Sequence, residues 1–159
     1  LVRKGFILVL GIILAVALYS LLGQLNPGLV VLVNTFSIWV MFVAITYGEL
    51  DGAIMGTCAG LVQDAFTYGI FGLAGLSQTV SGFLAGLLSR KLELGTFYKR
   101  TFFIFFFSLL QVMIWLFFFS IIFRKGVFLG HPLLYLQPVV TALLSSALIS
   151  LLKKIKWVS

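Results

Sequence analysis

Six apolar runs, each close to the length that crosses the hydrocarbon core of a bilayer, follow one another with short breaks between them. They cover residues 5–25, 29–47, 51–68, 72–88, 101–123 and 132–152. A helix rises about 1.5 Å per residue, so some 20 residues reach across roughly 30 Å of hydrocarbon. No water is present there to take up backbone N–H and C=O groups, and a helix satisfies them within one segment. With 62% hydrophobic and 9% charged residues, the chain holds more apolar surface than a soluble fold could hide. The pattern predicts an all-α integral membrane protein, a six-transmembrane-helix bundle forming a single domain over residues 1–159.

The charges assign the sides. A net charge of +7 points to nucleic acid in a soluble protein, but here the basic residues stand at the ends of apolar runs. Anionic lipid and topology account for them, and no nucleic-acid partner is expected. With the N-terminus inside, the inner segments hold Arg3, Lys4, Arg90, Lys91, Lys99, Arg100, Lys153, Lys154 and Lys156. The outer ones hold Arg124 and Lys125, so nine of eleven basic residues fall on the cytoplasmic side. Both termini are therefore expected to be cytoplasmic, with Arg90, Lys91, Lys99 and Arg100 in a basic inner loop. Arg3 and Lys4 ahead of an apolar run resemble a signal-peptide start, and Ala15-Val16-Ala17 mimics a cleavage site. The run continues through Leu22, which favours a retained first membrane helix.

The third run carries the most specific pattern. Gly48, Gly52, Gly56 and Gly60 recur every fourth residue, and the next step of four lands on Asp64. On a helix this spacing forms a stripe without side chains, the small-residue groove by which membrane helices approach closely. The fourth run is its natural partner, with Gly75, Ser77, Gln78, Ser81, Gly82 and Gly86 spaced mostly by three and four. Asp64 is an ionisable group at the end of the groove, costly there unless paired or near water, and Gln78 is placed to hydrogen-bond it or another buried group. Glu49 and Asp51 fall near the start of the third helix, where they complement its dipole. Asn26-Pro27-Gly28 and Gly69-Ile70-Phe71-Gly72 read as turns. The fifth run holds nine of the seventeen phenylalanines, so its aromatic surface points to lipid or to a partner's membrane helix. Pro138 is expected to kink the sixth helix, whose Gln137, Thr141, Ser145 and Ser146 form a polar edge.

No catalytic or cofactor-binding constellation emerges. His131 is the one histidine, so a His-based metal site or a triad lacks ligands. The four acids are too few, and too separated in depth, for a carboxylate pair. The single Cys58 forms no internal disulfide and reads as a small buried thiol. An enzyme is not expected. Asn34, Gln63, Asp64, Gln78, Gln111 and Gln137 could instead line an outward cavity for a solute.

Gly56-Thr57-Cys58-Ala59-Gly60-Leu61-Val62-Gln63-Asp64, then Tyr68-Gly69-Ile70-Phe71-Gly72-Leu73 and the Gly82 to Gly86 helix, resemble the rod shape-determining protein family MreD. That family shows a glycine-rich helix ending Gly-Leu-x-x-Asp, a Gly-containing loop and a small-residue helix that ends basic. The likeness extends over the whole chain, including Gln137-Pro138-x-x-Thr141 at the entry to the last helix. The resemblance implies a non-enzymatic scaffold of the bacterial inner membrane that binds the membrane-anchored periplasmic protein MreC. It implies work alongside the MreB filament, the polymerase RodA and a class B penicillin-binding protein in cell elongation. The family is also fold-related to the S components of energy-coupling-factor transporters. The alternative is accordingly a substrate-binding membrane subunit of a small-solute, vitamin-type transporter, with Gly11-x-x-x-Ala15 as a coupling surface. Against it stands the short linker from Leu25 to Gly28, where S components use a long segment. A self-associating homo-oligomer would use the glycine groove between copies.

Overall fold

A computed structural model describes residues 2–66, 71–123 and 133–154. Seven helices and no strand occur among the described residues. They are α1 (Val2–Leu25), α2 (Pro27–Leu32), α3 (Thr35–Tyr47), α4 (Glu49–Phe66), α5 (Leu73–Ser89), α6 (Phe97–Phe123) and α7 (Leu133–Lys154). Four stretches are long and apolar enough to cross a membrane: Gly5–Leu25, Pro27–Tyr47, Phe97–Ile122 and Leu133–Leu152. The chain is thus an all-helical, multi-pass membrane protein by length and composition. α5 is apolar but only 17 residues long, and α4 dilutes its hydropathy with glycines, Glu49, Asp51 and Asp64.

The second apolar run, expected as one helix over 29–47, is two. It starts at Pro27, behind Asn26, whose Oδ1 accepts the Gly28 N–H at 2.8 Å. It then breaks at Val33 and Asn34, because Asn34 Oδ1 accepts the Ser37 N–H at 3.0 Å and opens a new helix. An asparagine side chain that takes up an amide N–H at a helix start is a strong N-cap. Thr35 Oγ1 donates to Ala15 O at 3.1 Å and ties the break to α1.

Two further boundaries differ from the sequence expectation. α4 begins at Glu49 rather than 51, separated from α3 by Gly48 alone, whose φ of +102° belongs to the left-handed region that glycine tolerates. α6 begins at Phe97 rather than 101, which takes Lys99 and Arg100 out of the loop and into a helix.

α3 is the central strut. Phe36, Val40, Met41, Phe42, Val43 and Ala44 are buried along it, and it packs against α1, α4, α5 and α7. α1 and α6 take the outside, with Phe6, Val9, Ile13, Phe102, Met113 and Phe117 exposed as lipid-facing residues would be. The phenylalanines of α6 divide between the two environments: Phe103 and Phe107 are buried, their rings 4.7 Å apart.

Candidate functional site: a polar cavity at the α4–α5 end of the bundle

The α4–α5 pair builds one wall of the site. The two helices run antiparallel with backbones in direct contact, because the facing positions carry no side chain. A Cβ on Gly52 would lie 2.5 Å from Gly82 O, one on Gly56 would lie 2.3 Å from Gln78 O, and one on Gly60 would lie 2.5 Å from Gly75 Cα. From the other side, Cβ atoms on Gly82 and Gly86 would meet Gly52 O at 2.5 Å and Glu49 Cα at 2.6 Å. The groove expected from the fourfold spacing exists, and α5 of the same chain fills it. A second copy therefore finds no room in it. Gly48 sits at the turn, where a Cβ would meet the Arg90 guanidinium.

Asp64 follows from that packing. At the end of the stripe it is 8% exposed and lies beside the first turn of α5. Its Oδ2 accepts the N–H groups of Gly72 at 2.9 Å and Gly75 at 3.1 Å, and its Oδ1 accepts that of Ala74 at 3.1 Å. The first N–H groups of a helix have no partner within it, and they carry the positive end of its dipole. A carboxylate from the neighbouring helix therefore caps α5, whose own preceding residue, Gly72, has no side chain to do so. Of the two partners expected for Gln78, Asp64 or another polar group, the structure shows the second. Its Nε2 donates to Gln63 Oε1, while its own Oε1 is buried without a partner among the described residues.

Beyond this cap lies a partly open cavity of about 250 Å³. Asn34, Gln63, Asp64, Gln111 and Gln137 line it, five of the six polar residues that the sequence brought together; Gln78 stands behind Gln63. Tyr19 and Ser77 add to the polar wall, and Val30, Val31, Val112, Trp115 and Leu134 supply the apolar one. Every helix but α3 contributes, and α3 adds its N-cap residue Asn34. The break between α2 and α3 thus opens the room and places an amide on its wall. Ser37, with Asn34 and Thr35 one of the polar positions the sequence offers in the second run for bonds to a neighbouring helix or to backbone, joins two lining residues: its N–H donates to Asn34 and its Oγ donates to Gln111 Oε1 at 2.6 Å.

The basic residues separate. Arg90 is exposed and pairs with Glu49, Nε to Oε2 at 3.1 Å, joining the turn after α5 to the start of α4. Lys91 and Lys99 are exposed, Lys99 beside Glu93 and Phe102 at the rim of a second, apolar groove. Arg100 is not a loop residue but is 3% exposed. It turns onto α7, where its Nε donates to Ser146 Oγ at 3.2 Å and its Nη2 to Ser146 O at 3.1 Å and to Ser150 Oγ. Cys58, expected buried, is exposed on α4. Gly11 and Ala15 face inward rather than outward: a Cβ on Gly11 would strike the Trp39 ring, and Ala15 is buried.

Tyr68, Gly69, Ile70, Arg124, Lys125, His131, Lys156 and Trp157 lie outside the described residues, as do the side chains of Arg3, Lys4, Lys153 and Lys154. Among the described residues no group of three or more His, Cys, Asp or Glu could hold a metal ion. Compared with known proteins, the chain matches no family model, no curated protein and no solved structure.

Proposed function

We propose that this chain is a non-enzymatic scaffold of the bacterial cytoplasmic membrane, a MreD-type subunit of the cell-elongation complex whose direct partner is MreC. The observation that supports this reading is the joint role of the residues on which the resemblance rests. Gly56 and Gly60 bring α5 onto α4, and Asp64 caps α5 through Gly72, Ala74 and Gly75. The motif is spent on fixing one antiparallel helix pair, which is what a scaffold that presents a rigid surface requires. The apolar outer faces of α1 and α6 are then the surfaces open to a partner's membrane helix, with RodA, a class B penicillin-binding protein and MreB as further members of the assembly.

In this reading the chain crosses the membrane six times, with α2 and α3 together making one crossing and α4 and α5 one each. Both termini are cytoplasmic by the distribution of Lys and Arg. Lys91 and Lys99, exposed on the inner side, meet anionic lipid.

The test is co-purification of the full chain with MreC from the same cell in mild detergent, with transporter coupling proteins as control. A stoichiometric MreC complex is expected, and Asp64→Asn should impair rescue of rod shape in cells lacking this chain. Absence of the complex, with capture of the coupling proteins instead, would overturn the scaffold reading in favour of a transporter subunit.

A further inference from the structure

The cavity wall holds more hydrogen-bond donors than the protein uses. A backbone N–H can only donate, so its bond from Ser37 fixes Asn34 Oδ1 and turns Asn34 Nδ2 the other way. Gln111 likewise commits Oε1 to Ser37 Oγ and keeps Nε2. Gln137, 8% exposed, has no hydrogen-bond partner among the described residues at either end of its amide. Three carboxamide NH2 groups, each with two N–H donors, therefore border one partly open cavity without an acceptor among the described residues. Donors so placed take their acceptor from whatever fills the cavity.

The rest of the wall fixes the class of that acceptor. Among the described residues no Lys, Arg or His lines the cavity, and Asp64 borders it, so that wall repels an anion. Asp64 is in turn already engaged by three N–H groups, which leaves little to hold a cation. A volume of about 250 Å³ falls just below the roughly 300–1,000 Å³ of common ligand pockets. Water alone would need about eight molecules at ~30 Å³ each, several of them against the aliphatic Val30, Val31, Val112 and Leu134, which offer no hydrogen bond. We infer that the cavity is a binding site for an uncharged solute of about single-ring size, rich in carbonyl or hydroxyl acceptors, which Asn34, Gln111 and Gln137 hold by their amide N–H groups. This inference does not rest on the scaffold reading, since a scaffold and a transporter subunit can equally be occupied.

The test uses the full chain in lipid nanodiscs. Native mass spectrometry looks for a stoichiometric adduct lighter than a lipid. Calorimetric titration compares nicotinamide and glucose, which are uncharged and acceptor-bearing, with nicotinate, which keeps the nicotinamide ring but carries a charge. Gln137→Leu is the informative variant: it removes donors without breaking a described hydrogen bond and keeps a side chain of similar size, so the fold should be kept. The expected result is an adduct, or saturable binding of at least one uncharged probe, with nicotinate excluded. Affinity should fall about tenfold in Gln137→Leu while the thermal midpoint of the free protein is unchanged. No adduct together with no probe binding, or binding that Gln137→Leu leaves untouched, overturns the inference and leaves a water-filled cavity. Loss of the MreC complex with probe binding intact would instead remove the scaffold reading alone.

Discussion

Gly56 and Gly75 face each other's helices across the same seam, yet a side chain at each meets a different neighbour. At Gly56 the added Cβ strikes the Gln78 carbonyl at 2.3 Å, and backbone cannot step aside without separating α4 from α5. At Gly75 it meets the Leu61 side chain at 3.3 Å, a flexible group that can yield by a few tenths of an ångström. Gly56→Leu should therefore destabilise the protein by at least about 3 kcal/mol, whereas Gly75→Ala should cost less than about 1 kcal/mol. Equilibrium unfolding in mixed micelles measures both, and equal effects would mean that the seam is looser than these distances require. The spacing of the glycines made the stripe legible in the sequence, and the small residues of α5 made its partner legible too. The task of Asp64 was not legible. Its three partners are backbone N–H groups of another helix, which every residue type but proline carries, so no sequence pattern marks them.

At the level of whole helices, hydropathy located the apolar runs but not the places where they break. Val33 and Asn34 interrupt a stretch that is apolar on both sides, and Asn34 reads equally as a polar contact inside a single helix. Only its bond to the Ser37 N–H makes it a cap, and that choice is settled by the packing of Thr35 onto α1. Arg100 shows the converse. Basic residues clustered between apolar runs read as a loop, but α6 extends back to Phe97 and carries Arg100 inward onto α7. Its guanidinium stands 5.9 Å from the Phe97 ring centroid and clamps the serines one turn apart on α7. A planar fork of donors does this in a way that an ammonium group does not. Arg100→Ala should lower stability by about 2 kcal/mol through lost charged-donor hydrogen bonds. Arg100→Lys should recover less than half of that, and full recovery by lysine would show that charge alone, rather than the fork, holds the two helices together. Unfolding midpoints with Ser146→Ala as the paired variant give the coupling directly.

For the whole molecule, the six-crossing proposal requires an incompletely apolar pair, α4 and α5, to cross beside four stretches that qualify unaided. The glycine seam supplies a physical answer: each helix buries its least apolar face in the other, so Gly52, Gly56, Gly60 and Gln78 are withdrawn from lipid, while Ile54, Phe66, Leu76 and Val80 remain exposed. In the proposed six-crossing arrangement the pair crosses side by side, and the connection between α5 and α6 falls on the side where the chain began. That side should be cytoplasmic, because Arg90, Lys91 and Lys99 stand there while Arg124 and Lys125 follow α6. Gly95 offers a clean reporter, since nothing lies within 4 Å of an added Cβ and a substitution there disturbs no packing. In a Cys58→Ser background, Gly95→Cys should react with a membrane-impermeant maleimide only in inverted vesicles, and His131→Cys only in intact spheroplasts. Labelling with the sides exchanged would reverse the topology and place the Asp64 end of the bundle, with its cavity, towards the cytoplasm. Labelling of both positions from one side would mean that α6 does not cross. The opening of the cavity and the sign of the loops are thus one question, because the side that Gly95 faces determines the side from which a solute reaches Asn34 and Gln137.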